Sequence, residues 1–245
     1  MPPHTVFQFA EADRLDARRK MVGAAGWCMR IRGVEEMWRH VADRWTVADL
    51  LRWLDADDDE AVAAAALCLG CIGDAALSPS LAPLLHHADP LVSAAAEQAL
   101  WSVWFRSGSP LSQSLICQAV CLLEGDRWDE AAAVLTEIVT EEPCFAEAWN
   151  QRGIARYLAG SFCGSIADWK HVMQLNPYHF GAMAGMGHCF AVLGRRTDAL
   201  DCYHAALDIH PRMDGVRQAI QQLRSVRPIE TIAAPEHGTK LLSVV

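Results

Sequence analysis

The stretch AEAWNQRGIARYLAGSFCGSIADWKHVMQLNP, residues 146–177, decides the fold. It holds two segments with helical spacing of apolar residues, parted by Gly160-Ser161 and closed by Asn176-Pro177. Glycine permits the turn. Proline ends the second helix, because it has no N–H to donate and disfavours helical geometry in the residue before it. The same sentence recurs on both sides: Pro143, Pro177 and Pro211 follow one another at a constant interval of 34 residues. In that register Leu115, Trp149 and Met183 coincide, as do the small residues Ala119, Gly153 and Gly187. Ala131, Ser165 and Ala199 follow, then Leu135, Trp169 and Tyr203, then Ile138, Val172 and Ala206. A fixed period of this length marks an array of helical units.

The spacing predicts first helices over 113–124, 147–158 and 181–193, and second helices over 128–140, 162–175 and 197–209. Turns fall at Gly125-Asp126, Gly160-Ser161 and Gly194-Arg195. Small residues at one helix contact, with large ones filling the space around them, resemble the tetratricopeptide repeat. The resemblance covers three units over 112–213, roughly half the chain. Arg196 departs from it, standing where Trp128 and Phe162 stand, and Ile138 and Val172 occupy a position that is usually small. Residues 214–226 read as a capping helix, with Val216, Ile220 and Leu223 at helical spacing; 227–245 read as a mobile tail.

Upstream, residues 50–74 and 81–105 align at a step of 31: Leu50 on Leu81, Trp53 on Leu84, Ala64 on Ala95 and Leu69 on Leu100. A short helix, an acidic turn and an alanine-rich helix resemble the short HEAT repeats of phycobilisome-lyase-like proteins. This segment is expected over 46–106, after an N-terminal helical cap or degenerate repeat over 1–45. The breaker run Arg106-Ser107-Gly108-Ser109-Pro110 is the expected joint. The fold class that follows is all-α: a right-handed α-solenoid of antiparallel helix pairs, HEAT-like and then tetratricopeptide.

Composition narrows the function. With 30 acidic against 21 basic residues and a net charge of −9, the chain lacks the clustered cations that phosphate neutralisation needs, so nucleic acid is not expected. The longest nearly apolar stretch, 61–72, falls short of the roughly 20 residues that span a bilayer. The start has no basic region followed by an apolar one, so no membrane partner and a cytoplasmic location are expected. Nine cysteines in such a chain read as reduced thiols.

Candidate chemistry dissolves on inspection. Cys68 and Cys71 have metal-knuckle spacing, with His86 and His87 following, but the second pair is wrongly spaced and repeat packing accounts for both cysteines. The run 55–60 begins like a calcium loop and then fails, with Glu60 where glycine and Ala66 where glutamate belong. Its acids fit a helix N-terminus instead. Gly185-Met186-Gly187 lacks the strand of a dinucleotide site. No metal, cofactor or catalytic residue is expected.

A tetratricopeptide resemblance implies that first helices line an inner groove. Carried over, the facing positions are Gln113, Ile116, Cys117, Val120 and Leu123; Glu147, Asn150, Gln151, Ile154 and Tyr157; and Gly181, Ala184, Gly185, His188 and Ala191. Gln113, Cys117, Val120, Glu147, Asn150, Gln151, Ile154, Tyr157 and His188 are the expected partner-binding residues. Only Asn150 matches the lysines, arginine and asparagines that clamp chaperone tails. An apolar helix or extended peptide suits the groove better. The alternative is that these positions pack against the chain's own N-terminal helices or tail. The expected function is a non-catalytic adaptor for a protein or peptide; the alternatives are an enzyme subunit related to HEAT-containing chromophore lyases and a self-associating structural protein.

Overall fold

The computed structural model describes residues 39–225. Most of the expected N-terminal cap, and all of the expected tail, lie outside the described residues.

Every regular element among the described residues is helical. Helix α1 (Val47–Leu51) starts on a reciprocal cap, in which Asp49 N donates to Thr46 Oγ1 and Thr46 N to Asp49 Oδ2. Helix α2 (Asp59–Ile72) starts where Asp58 accepts from the backbone of Glu60 and Ala61, each at 3.1 Å, so the acidic run serves a helix N-terminus. A series of short helical turns spans 75–86, and Asp89 and Pro90 then open α3 (Pro90–Phe105). The alanines and Gly70 let α2 and α3 approach closely. A Cβ on Gly70 would lie 2.7 Å from Ala99 Cα.

The array follows: α4 (Pro110–Glu124) with α5 (Trp128–Glu141), α6 (Ala146–Leu158) with α7 (Phe162–Leu175), and α8 (Phe180–Val192) with α9 (Arg196–Ile209). Helix α10 (Asp214–Ser225) closes it, burying Val216 and Ile220 against the last pair. Each first helix ends in the same way. Arg127, Ser161 and Arg195 donate N–H five residues back, to Leu122, Arg156 and Phe190 carbonyls at 2.9, 2.7 and 2.8 Å. This doubly bonded C-terminal turn needs one residue in the left-handed region. Gly160 and Gly194 supply it at φ +79° and +72°. In the first unit the same register falls on Asp126 at φ 57°, one place after the glycine that the sequence offers.

The eighth position of each unit is small because a large side chain from the middle of its partner helix lies against it. A Cβ on Gly153 would meet Trp169 Nε1 at 2.7 Å, and one on Gly187 would meet the Tyr203 ring at 2.5 Å. In the first unit Ala119 and Leu135 fill the equivalent places, both fully buried.

The upstream block does not continue the stack end-on. Helix α3 packs chiefly on α2 and touches α4, the next helix in the chain, only marginally. Its other side lies along the corners where one unit passes to the next. Phe180 therefore belongs to the same buried core as α2 and α3, with Tyr178, Ile209 and Met213 packed against it. This explains why α3 carries a single charged residue, Glu97, and few other polar ones, so that most of its circumference is apolar. The joint is pinned: Arg106 donates to Gly73 O at 2.9 Å, and Gln113 Nε2 donates to Arg106 O and Gly108 O.

Candidate interaction surface

The inner face of the array has two halves with different chemistry. Toward the proline corners lies a closed polar network centred on Glu147, which is fully buried. Its Oε1 accepts from Asn150 Nδ2 at 3.0 Å and Gln151 Nε2 at 2.7 Å, and its Oε2 lies 3.0 Å from His179 Nε2. His179 Nδ1 accepts from the Ala182 N–H at 3.0 Å, capping α8. That bond leaves the proton on Nε2, which donates to Glu147. Asn150 Oδ1 accepts from Trp169 Nε1 at 3.0 Å, extending the network into α7.

Helix α3 roofs this network. The Trp104 ring stacks on His179, with centroids 4.4 Å apart and planes at 18°. Trp101 meets Phe180 edge-on at 5.2 Å. A Cβ on Gly181 would lie 2.8 Å from the Trp101 ring, so only glycine admits the ring this closely. Polar bonds rim the aromatic contact: Arg212 donates to His87 O at 2.6 Å and Ala88 O at 3.0 Å, His86 Nε2 lies 3.0 Å from Asp208 O, and His210 Nε2 lies 3.3 Å from Glu97. Burial holds the His210 ring below its ordinary pKa, against an opposing pull from Glu97. A cleft of about 210 Å³ lies beside the contact, lined by Ser78, Trp104, Glu147, Asn176 and Tyr178 among others.

The half toward the turns is open. Ile154 and Tyr157 are half-buried, and Tyr157 leans on Phe162 with centroids 5.6 Å apart. Leu158 and Val192 occupy equivalent positions of successive units and are 40% and 55% exposed, and Leu193 beside them is 42% exposed. His188 stands at this rim with Nδ1 2.7 Å from Tyr203 Oη. Cys117 is exposed and Val120 half-buried on the first unit. Of the nine residues read from the sequence, Glu147, Asn150 and Gln151 thus meet in the roofed network, Gln113 serves the joint, and Cys117, Val120, Ile154, Tyr157 and His188 stay at the surface.

Beneath the surface, Asp168 accepts from Arg152 and Arg156 at 2.7 to 3.0 Å, and Arg152 reaches Thr136 of the preceding unit. Arg152 also lies over the Trp149 ring, 4.6 Å from its centroid. Of the knuckle residues, Cys68 and Cys71 are buried in the upstream core, whereas His86 is exposed and turned to Asp208. Among the described residues no group of three or more His, Cys, Asp or Glu could hold a metal ion, and no helix is long and apolar enough to cross a membrane.

No family model matches the chain. Over 120 residues, 49% of its length, it is 30% identical to a TPR repeat-containing protein of Rhizobium etli. The match spans 59% of that relative's own length. Among solved structures, the tetratricopeptide domain of Arabidopsis OM64 superposes with a TM-score of 0.46 at 20% identity, covering 46% of this chain and 94% of that one. The TPR2AB domain of yeast Sti1, in complex with an HSP90 peptide, gives 0.43 at 15% identity, covering 85% and 97%.

Proposed function

We propose that the chain is a non-catalytic adaptor whose tetratricopeptide array binds a protein or peptide on the open half of its inner face. The observation that carries this reading is the apolar row at matching positions of successive units, Leu158 and Val192, flanked by Ile154, Tyr157 and Leu193. Large apolar side chains repeated along one edge of a repeat array are what a docking helix or extended apolar segment needs.

The residues do not favour an acidic chaperone tail. The chain's lysines are Lys20, Lys170 and Lys240, none of them at an inner-face position. Asn150, the one matching residue, is engaged with Glu147 and Trp169, and the Glu147 carboxylate would oppose an incoming one. A cytoplasmic setting accords with a set of cysteines that form no disulfide among the described residues.

The test is affinity capture with crosslinking from native cells, comparing the full chain with Tyr157→Ala and Val192→Asp. The reading expects a reproducible protein partner with the native chain and its loss with Val192→Asp, while far-UV circular dichroism stays unchanged. Capture that is indifferent to both substitutions, or no partner at all, would end it.

A further inference from the structure

We infer that the corner half of the inner face is a helix-binding site already occupied by the chain's own α3, so that a partner helix gains it only by exchanging with α3. The inference rests on the array being an interaction module, and it adds which ligand chemistry the roofed half accepts.

The contact has the anatomy of a helix seated in a groove. Glu97, Trp101 and Trp104 lie at i, i+4 and i+7 on one side of α3, and each has its own receptor on the array. Trp104 lies flat on His179, which Glu147 and the α8 N-terminus hold in place. Trp101 fills the space that Gly181 leaves and abuts Phe180. Glu97 faces His210. Aromatic anchors over a hydrogen-bonded polar floor, with charged groups at the rim, are the usual arrangement of a helix–groove interface. The preferred ligand is therefore an apolar helix with two aromatic residues three apart and an acid four before the first.

The opposite side of α3 is committed to α2 through Val92, Ala95, Ala96, Ala99, Leu100 and Val103, all buried. Release of α3 therefore moves the upstream block as a body. Any ligand competing in trans binds with an affinity reduced by the fraction of molecules in which α3 is away.

The probe is a fluorescein-labelled peptide of residues 90–106, titrated by anisotropy against the full chain and its variants. The native chain should bind it weakly. Trp104→Ala, which removes from the cis helix the stacked ring and its bond to Ser78 Oγ, should tighten binding at least about tenfold by raising the open fraction. Arg212→Ala, which loses only the rim bonds to His87 and Ala88, should tighten it less and in the same direction, and it keeps the aromatic core intact should Trp104→Ala disturb the block. Adding Gly181→Val to Trp104→Ala should abolish the gain. Native-chain binding as tight as that of Trp104→Ala would overturn the inference. So would failure of both single variants to bind while the array keeps its helical circular dichroism, or a gain that survives Gly181→Val. The peptide test needs no outside partner, so an empty affinity capture would sink the adaptor reading and leave this result standing.

Discussion

Replacing Gly153 by alanine sets two effects of known size against each other. In an ordinary helix interior the change stabilises by about 1 kcal/mol, because alanine loses less backbone entropy. Here the added Cβ would lie 2.7 Å from Trp169 Nε1 and 2.8 Å from Cε2, where carbon atoms do not normally sit. Trp169 cannot retreat cheaply: it is 3% exposed, and its Nε1–H is held by Asn150 Oδ1 at 3.0 Å. Overpacking of this kind costs about 1–3 kcal/mol, and loss of the indole hydrogen bond adds about 1 kcal/mol. The net expectation is destabilisation by about 1–3 kcal/mol, after the propensity gain is subtracted. Gly153→Leu should lie above that range. Gly125→Ala is the control, since its Cβ would meet nothing closer than 3.5 Å. Urea unfolding followed at 222 nm measures both. A Gly153→Ala protein more stable than the native one would refute the close-contact account of the repeat.

Other substitutions probe the turns, the polar network and the corner. Asp126→Gly places glycine where its counterparts Gly160 and Gly194 already stand, and should raise the urea midpoint by about 0.5–1 kcal/mol equivalent. Glu147→Ala strands the His179, Asn150 and Gln151 donors in a buried site, and should cost about 3 kcal/mol or more in the same assay. His210 has its native pKa depressed by burial, so between the native and unfolded pKa values the unfolded chain binds the extra proton. Its contribution is fully present above about pH 6.5 and is lost as pH falls below that. Melting temperature should therefore decline on acidification through this window, and His210→Phe should flatten the decline.

The array was legible in the sequence because each unit states the same constraints again. Pro143, Pro177 and Pro211 mark the ends of α5, α7 and α9, and the pairing of Gly153 with Trp169 follows from size alone. The turn of the first unit was legible only through the register, since Gly125 draws the eye and Asp126 takes the left-handed conformation. The inner face was half legible. Periodicity places Glu147, Asn150 and Gln151 on one side of α6, but their partners His179 and Trp169 come from other helices, and Trp101 and Trp104 from a different segment altogether. Contacts between residues 86–104 and 179–212 leave no periodic trace. The one signal was α3 itself, a sixteen-residue helix with Glu97 as its single charge, which must be covered on more than one side.

The upstream block lying along the array, instead of extending it, is the claim on which the roofed network, the joint and the exchange site all depend. Pulsed electron–electron resonance tests it, using spin labels on unnatural residues introduced at Leu91, 56% exposed, and at the exposed Asp214. Arg212 bonded to the Ala88 carbonyl brings the two regions together, so one narrow, short distance is expected. In an end-on stack six array helices would separate them, at 8–10 Å per helix layer, by roughly 30 Å or more. A distribution centred there would contradict the account.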